Sequence, residues 1–258
     1  MAHVVAVSNQ KGGVAKTTTA VSLAAEVARR GQRVLAVDLD PQSNLTLAFG
    51  LDPDSFRGKS SYDLLAQREV AVESVAVAIA GVRGVSVVPS EVRLAQAEKE
   101  LYGEVGFDEL LKRKLDACAE RYDVVVLDCP PSLGLLTVNA LAAATLCVVP
   151  VQCEFFSAKG VVRLIELVSV IRERRNPGLA LHVVPTLYDP RNNICRAVLK
   201  ELKQQFQGEL SRVAIGVDTR LREAAAAGLP IAVFAPRSRA SLAYGELAKE
   251  VMAHAAAA

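Results

Sequence analysis

The chain has 258 residues, half of them apolar, with few aromatics, no tryptophan and a net charge of +2. That composition suits a compact Ala/Val/Leu-rich α/β core and excludes a disordered, collagenous or fibrous chain. No apolar run approaches the roughly 20 residues of a membrane span, and Met1 leads directly into the strand-like His3-Val4-Val5-Ala6-Val7 rather than a signal peptide, so a cytoplasmic protein without membrane association is expected.

Apolar, β-branched runs predict buried strands over 3–8, 33–39, 84–89, 122–128, 145–151, 180–185 and 213–217. Between and after them, helical spacing predicts helices over 17–30, 91–102, 134–144, 157–174, 193–206, 219–227 and 239–255. Strand and helix alternate without a linker, which predicts one α/β domain over 1–258, a mostly parallel twisted sheet with helices on both faces. Ser90, Ser157 and Ser238 stand where N-caps are expected, and the turn formers of 50–62 predict a mobile surface loop. The terminal His254-Ala255-Ala256-Ala257-Ala258 predicts a frayed helix end. Five cysteines, odd in number, lie mostly in apolar runs and fit no zinc spacing, so they predict reduced core thiols; Cys129 belongs with them as a packing residue.

The first strand ends at Ser8-Asn9-Gln10 and passes through Lys11-Gly12-Gly13-Val14-Ala15-Lys16-Thr17-Thr18 into an alanine-rich helix. A glycine-rich turn between a strand and a helix N-terminus aims backbone N–H groups and the positive end of the helix dipole at one spot, suited to phosphate oxygens. Lys16 would lie against the β- and γ-phosphates, and the Thr17 hydroxyl would coordinate Mg2+. The ordinary G-x-x-x-x-G-K-[ST] pattern fails, because Gln10 and Ala15 occupy its glycine positions. The second strand delivers Asp38-Leu39-Asp40-Pro41-Gln42 at its carboxyl end, where ligands bind in open α/β sheets, with both carboxylates on one face. A third apolar strand closes on Asp128, followed by Cys129-Pro130-Pro131; four apolar residues ending in aspartate is the pattern of a Mg2+-holding strand, and the prolines force the chain out of the sheet.

Lys11-Gly12-Gly13-x-x-Lys16-Thr17-Thr18 matches the deviant Walker A form, and with the D-x-D-P-Q and D-C-P-P-S-L-G-L-L-T segments the chain resembles the ParA/Soj family of P-loop partitioning ATPases. The likeness continues through Leu187-Tyr188-Asp189-Pro190-Arg191, Thr219-Arg220-Leu221-Arg222-Glu223-Ala224, Gly228-Leu229-Pro230-Ile231 and Pro236-Arg237-Ser238, leaving 51–83 largely unmatched. It implies a P-loop NTPase fold, ATP and Mg2+ as cofactors, and slow ATP hydrolysis stimulated by a partner. Within it, residues 11–18 (Lys11, Gly12, Gly13, Val14, Ala15, Lys16, Thr17 and Thr18) bind phosphate, and Lys11 reaches the partner's nucleotide across an ATP-dependent homodimer. Asp40 positions the attacking water; Thr17, Asp38, Asp40 and Asp128 surround the metal. Adenine would meet Thr186 and Leu187 after one strand and Gly216, Val217 and Asp218 after the next, although the family's I-P-R-N-V-R reads Ile215-Gly216-Val217-Asp218-Thr219-Arg220 here. Ala15 also departs from the family's glycine.

Charge is asymmetric: 15 Lys/Arg against 18 Asp/Glu over 1–150, and 15 against 10 over 151–258, so the second half is the polyanion-facing one. Arg191, Arg196, Lys200 and Lys203 recur at helical intervals, with Arg220, Arg222, Arg237 and Arg239 in family-matched segments. The resemblance implies non-specific double-stranded DNA binding by the ATP dimer through such residues (first Arg191, Arg220 and Arg222, then Arg196 and Lys200), a nucleoid-associated location and release by a ParB-like centromere-binding partner. Two neighbouring readings share the scaffold. A MinD-like membrane switch needs a basic amphipathic C-terminal helix, which 244–258 with one lysine and one histidine supplies poorly; a ParA-like ATPase for a non-DNA cargo differs only in its partner. An iron–sulfur reductase would need a cysteine pair that the sequence does not place.

Overall fold

The computed structural model describes residues 2–101, 106–154 and 157–257. In chain order, β1 (His3–Val7) leads to α1 (Lys16–Ala28), β2 (Val34–Asp38) to α2 (Asn44–Ala48), and a 3-10 turn (Pro53–Phe56) to α3 (Ser61–Ala66) and α4 (Val72–Val75). The short β3 (Val77–Ala78) precedes β4 (Val85–Val88), α5 (Leu94–Glu100), a second 3-10 turn (Phe107–Glu109) and α6 (Leu110–Asp116). Then β5 (Val124–Asp128), α7 (Leu135–Ala143), β6 (Leu146–Gln152), α8 (Ser157–Arg174), β7 (Ala180–Thr186) and α9 (Asn193–Gln205) alternate, and α10 (Arg220–Ala226), α11 (Ile231–Phe234) and α12 (Arg239–Ala257) follow.

The strands form one sheet in the order β3-β4-β2-β5-β1-β6-β7, parallel throughout except for β3 against β4. Parallel strands need crossover helices, which cover both faces and explain why the strands read as continuous apolar runs. Alternate residues serve the two faces. Val4, Ala6, Leu35, Val37, Val125 and Leu127 pack with Leu64, Leu94, Leu111, Leu136, Leu164 and Val198 of α3 and α5–α9. Val5, Val7, Val34, Ala36, Val124 and Val126 pack with Leu23, Ala224, Ile231 and Tyr244 of α1 and α10–α12. The predicted α/β P-loop architecture is therefore the observed one.

Helix α1 is held along its length. The buried Tyr244 hydroxyl lies 3.2 Å from Thr19 Oγ1, Ser241 Oγ donates to Glu26 Oε1 at 3.0 Å, and Arg30 Nη2 donates to the Gly245 carbonyl at 2.6 Å. Glu26, fully buried, also takes Arg29 at 2.7 Å, so its charge is paired inside the α1–α12 seam.

Several expectations need correction. Residues 213–217 do not form a strand; their one bridge joins Gly216 to Tyr188, just beyond β7, and a second isolated bridge joins Leu210, ahead of the segment, to Val183 of β7. Pro185, inside β7, has no N–H to donate and interrupts the ladder there. Ser90 is not a helix cap: α5 begins at Leu94, and Ser90 is fully buried with its hydroxyl on Asp40. The 50–62 segment holds a 3-10 turn, and its end is buried, because Ser60 and Asp63 form a capping box that starts α3. Ser238 does cap α12, accepting the Ser241 N–H at 3.1 Å, whereas the cap expected of Ser157 rests on a side chain outside the described residues. The helix of 254–257 is continuous with α12.

Candidate nucleotide site

The site lies at the carboxyl ends of the central strands. A strand-to-helix loop there must satisfy its own polar atoms, and Asn9 does part of this, its Nδ2 donating to the Pro150 carbonyl at 2.7 Å and its Oδ1 accepting the Lys11 N–H at 3.0 Å. Thr186, expected at the base, is fully buried behind the loop, its hydroxyl donating to the Val14 carbonyl at 3.0 Å. Gly13 has φ +75°, and neither Gly12 nor Gly13 has any atom within 4 Å of where a Cβ would stand, which leaves the loop face open. Ala15 takes the left-handed conformation, φ +68° and ψ +35°, immediately before α1, whose first turn carries neither a side-chain cap nor an acidic residue. The free N–H groups of that turn are the feature an anion uses.

Lys16 is buried, and its ammonium donates to the Lys11 carbonyl at 3.0 Å. Burial lowers its pKa, opposed by the charges of Asp128 and Asp40. Lys11, on the same loop, is partly exposed and stands 3.6 Å from Glu154 at the end of β6.

Register places Asp38 beside Asp128 at the ends of β2 and β5. Asp38 is fully buried and accepts three hydrogen bonds: from Thr46 N–H at 2.9 Å, Thr46 Oγ1 at 2.7 Å and Asp40 N–H at 3.1 Å. Burial nevertheless pushes its pKa up to about 7. Asp128 is fully buried too, and neither carboxylate oxygen has a hydrogen-bond partner among the described residues. Burial and then the Asp38 charge hold it well above the usual carboxylate range, with Thr17 and Lys16 pulling the other way. Two adjacent buried carboxylates, one of them orphaned, beside a threonine hydroxyl are an oxygen-rich set that a hard divalent cation would satisfy. Among the described residues no group of three or more His, Cys, Asp or Glu is arranged to hold a metal by itself. Cys129, behind this edge, is buried with its thiol pKa raised by burial, as a packing residue requires.

A cleft of about 560 Å3 opens from the loop. Its lining includes Gly12, Gly13, Ala15, Lys16, Thr17, Thr18 and Asp40 from the loop and strand edge, and the apolar Leu47, Ala48, Leu221, Ala224, Ala225 and Ile231 from α2, α10 and α11. Of the residues expected at adenine, Thr186, Leu187, Gly216, Val217 and Asp218 all fall outside this lining. Asp218 instead accepts the Arg220 N–H at 3.0 Å and the Ala240 N–H at 3.3 Å, tying α10 to α12; Leu187 is backbone-strained at φ +51°. Leu221, Ala224 and Ala225, three and four residues apart on α10, share one helix face.

The basic residues fall into two exposed groups. Arg191 and Arg196 flank the start of α9 with Lys200 one turn on, Arg191 paired with Asp189 at 3.0 Å and Arg196 donating to the Pro190 carbonyl at 2.7 Å. Arg220 and Arg222 project from α10, the helix that walls the cleft.

The family model of an AAA domain (AAA_31) matches residues 2–181. Sporulation initiation inhibitor protein Soj of Bacillus subtilis (strain 168) is 39% identical over 255 residues, 98% of this chain and 100% of that protein. Chromosome partitioning protein ParA of Myxococcus xanthus is 36% identical over 97% of this chain and 88% of its own length. Among solved structures, cobyrinic acid a,c-diamide synthase from Mycobacterium smegmatis with bound ATP analogue and magnesium superposes with a TM-score of 0.85 at 36% identity, covering 99% of this chain and 96% of that one.

Proposed function

Because the chain belongs to the ParA/Soj family of P-loop partitioning ATPases, we propose that it is an ATP-driven partitioning switch: Mg2+-ATP closes a homodimer, the dimer binds duplex DNA without sequence preference, and a ParB-like partner releases it by stimulating slow hydrolysis. The observation that carries this reading is the convergence, at one sheet edge, of the uncapped α1 N-terminus, Lys16, Asp40 and the orphaned Asp128.

Loop amides 12–18 and Lys16 would cradle the triphosphate; Thr17, with Asp38 and Asp128 behind it, would hold Mg2+, whose chemistry is to neutralise phosphate charge. Asp40, buried but lining the cleft, would orient water. Lys11, partly exposed on the same loop, would serve a neighbouring active site as a cation supplied in trans. The apolar α10 residues of the cleft lining would take the base, so that Arg220 and Arg222 on the same helix would link nucleotide occupancy to the DNA face. Among the described residues no helix is long and apolar enough to cross a membrane, and a cytoplasmic, nucleoid-bound protein is the reading that goes with a DNA-binding dimer. One solved relative is named for amide formation and binds an ATP analogue with magnesium; nucleotide contacts are common to both activities, and DNA binding separates them.

The test is retardation of random-sequence duplex DNA at two salt concentrations. With Mg2+-ATP the protein should bind, with affinity falling steeply as salt rises, and Arg220→Ala or Arg222→Ala should each lower the log–log salt slope by about one unit. Lys11→Ala should bind ATP yet stay monomeric in light scattering, and fail to bind DNA. Equal binding with and without nucleotide would reject the switch.

A further inference from the structure

The loop between β4 and α5 belongs to none of the nucleotide motifs, yet it reaches the backbone of Asp40. Ser90 is fully buried, and its hydroxyl donates to the Asp40 carbonyl at 2.8 Å. Its N–H donates to Thr46 Oγ1 at 2.9 Å. Thr46, also fully buried, passes its own hydroxyl hydrogen to Asp38 Oδ2 at 2.7 Å, and Asp38 Oδ1 takes the Asp40 N–H at 3.1 Å. These four contacts close a ring through Ser90, Thr46, Asp38 and Asp40 in which every polar atom has a partner.

Such a ring matters because Asp40 lies beyond the end of β2, where no ladder holds it. Its N–H and carbonyl are fixed by the ring, with one more bond to the carbonyl from Ser43 N–H at 2.9 Å, in a turn where Ser43 itself has φ +56°. A carboxylate that must aim a water molecule loses rate steeply when displaced, and an ångström is enough for about a hundredfold. Buried hydroxyls in a fully satisfied network are the device that prevents such drift. Neither Ser90 nor Thr46 lines the cleft, so neither is placed to touch nucleotide.

We propose that Ser90 and Thr46 are positioning residues for ATP hydrolysis, acting through Asp40. This rests on Asp40 being the hydrolytic carboxylate. The test uses the full chain and compares Ser90→Ala, Thr46→Val, Thr46→Ser and Asp40→Ala in single-turnover hydrolysis of Mg2+-ATP, in equilibrium ATP binding and in thermal melting. Ser90→Ala and Thr46→Val are expected to slow hydrolysis at least about tenfold while ATP affinity stays within about twofold, and Thr46→Ser, which keeps the hydroxyl, is expected to recover the rate. If Asp40→Ala is inactive but Ser90→Ala and Thr46→Val keep hydrolysis within tenfold of the unaltered chain, the positioning role is overturned and the reading of Asp40 stands. If Asp40→Ala hydrolyses normally, that reading falls instead. Parallel losses of rate, affinity and melting temperature, or no recovery in Thr46→Ser, would make the two residues structural supports and likewise overturn the proposal.

Discussion

Ala15 carries a Cβ at φ +68°, a conformation that costs a non-glycine residue about 1–2 kcal/mol. Glycine escapes that strain but loses more entropy on folding, by about 0.5–1 kcal/mol. Ala15→Gly is therefore expected to raise unfolding stability by up to about 1 kcal/mol, read from the urea midpoint; a fall would show that the strain is relieved elsewhere. Asp128 makes the opposite bargain. Its folded pKa is raised, so its contribution to stability is present below the unfolded value near 3.8 and is lost as pH rises through the folded one. Asp128→Asn removes the charge at nearly constant shape. The nucleotide-free variant should melt higher than the unaltered chain at pH 8, with the gap closing near pH 4, while Mg2+-ATP hydrolysis drops on the order of a hundredfold.

At the scale of elements, α2 and α10, which both line the cleft, end closely against each other. Gly50 follows α2 at φ +73° and Gly228 follows α10 at φ +64°; a Cβ on Gly228 would stand 2.7 Å from Gly50 Cα, a backbone atom that cannot swing aside. Gly228→Ala thus adds overlap to left-handed strain and should cost about 2–4 kcal/mol. Gly31, at φ +88° with nothing within 4 Å of a Cβ, is the control. Gly31→Ala should cost only the strain, about 1–2 kcal/mol, and denaturant titration of the pair separates the two effects. Because Leu47, Ala48, Leu221 and Ala225 line the cleft from these same helices, Gly228→Ala should also weaken ATP binding, whereas Gly31→Ala should not.

For the molecule as a whole, the chain's three histidines bear on its acid limit, since all converge on the end of α12. His182 lies 3.0 Å from Glu250 and 5.2 Å ring to ring from His254. His3 Nε2 and His182 Nδ1 are buried without hydrogen-bond partners among the described residues. Burial, then the His254 charge, lowers the His3 pKa to about 4, and burial lowers that of His182 against the pull of Glu250. Both are held neutral by the fold. Their contribution is complete above the unfolded value of 6.5 and is lost as pH falls toward 4, by up to about 3 kcal/mol for His3. Melting temperature should decline over that window, and His3→Gln should flatten the decline; an unchanged slope would remove His3 as its source.

Local pattern determined a great deal here. The glycine-rich turn between β1 and α1, the strand ends carrying Asp38, Asp40 and Asp128, and all six long strands were legible, because strand periodicity and turn chemistry are properties of neighbours along the chain. The short helices over 44–48, 61–66, 72–75, 110–116 and 231–234 were not, since each is too short for a period to register and is held by tertiary packing. Residues 213–217 looked like a strand by composition, but a strand needs a partner ladder, and Pro185 in the neighbouring strand withholds one. Thr186 behind Val14, the apolar wall of α10 and the Ser90–Thr46 ring join residues as much as 172 positions apart. Only the folded sheet, by bringing strand ends from distant parts of the chain to one edge, decided which hydroxyls, carboxylates and apolar faces would meet there.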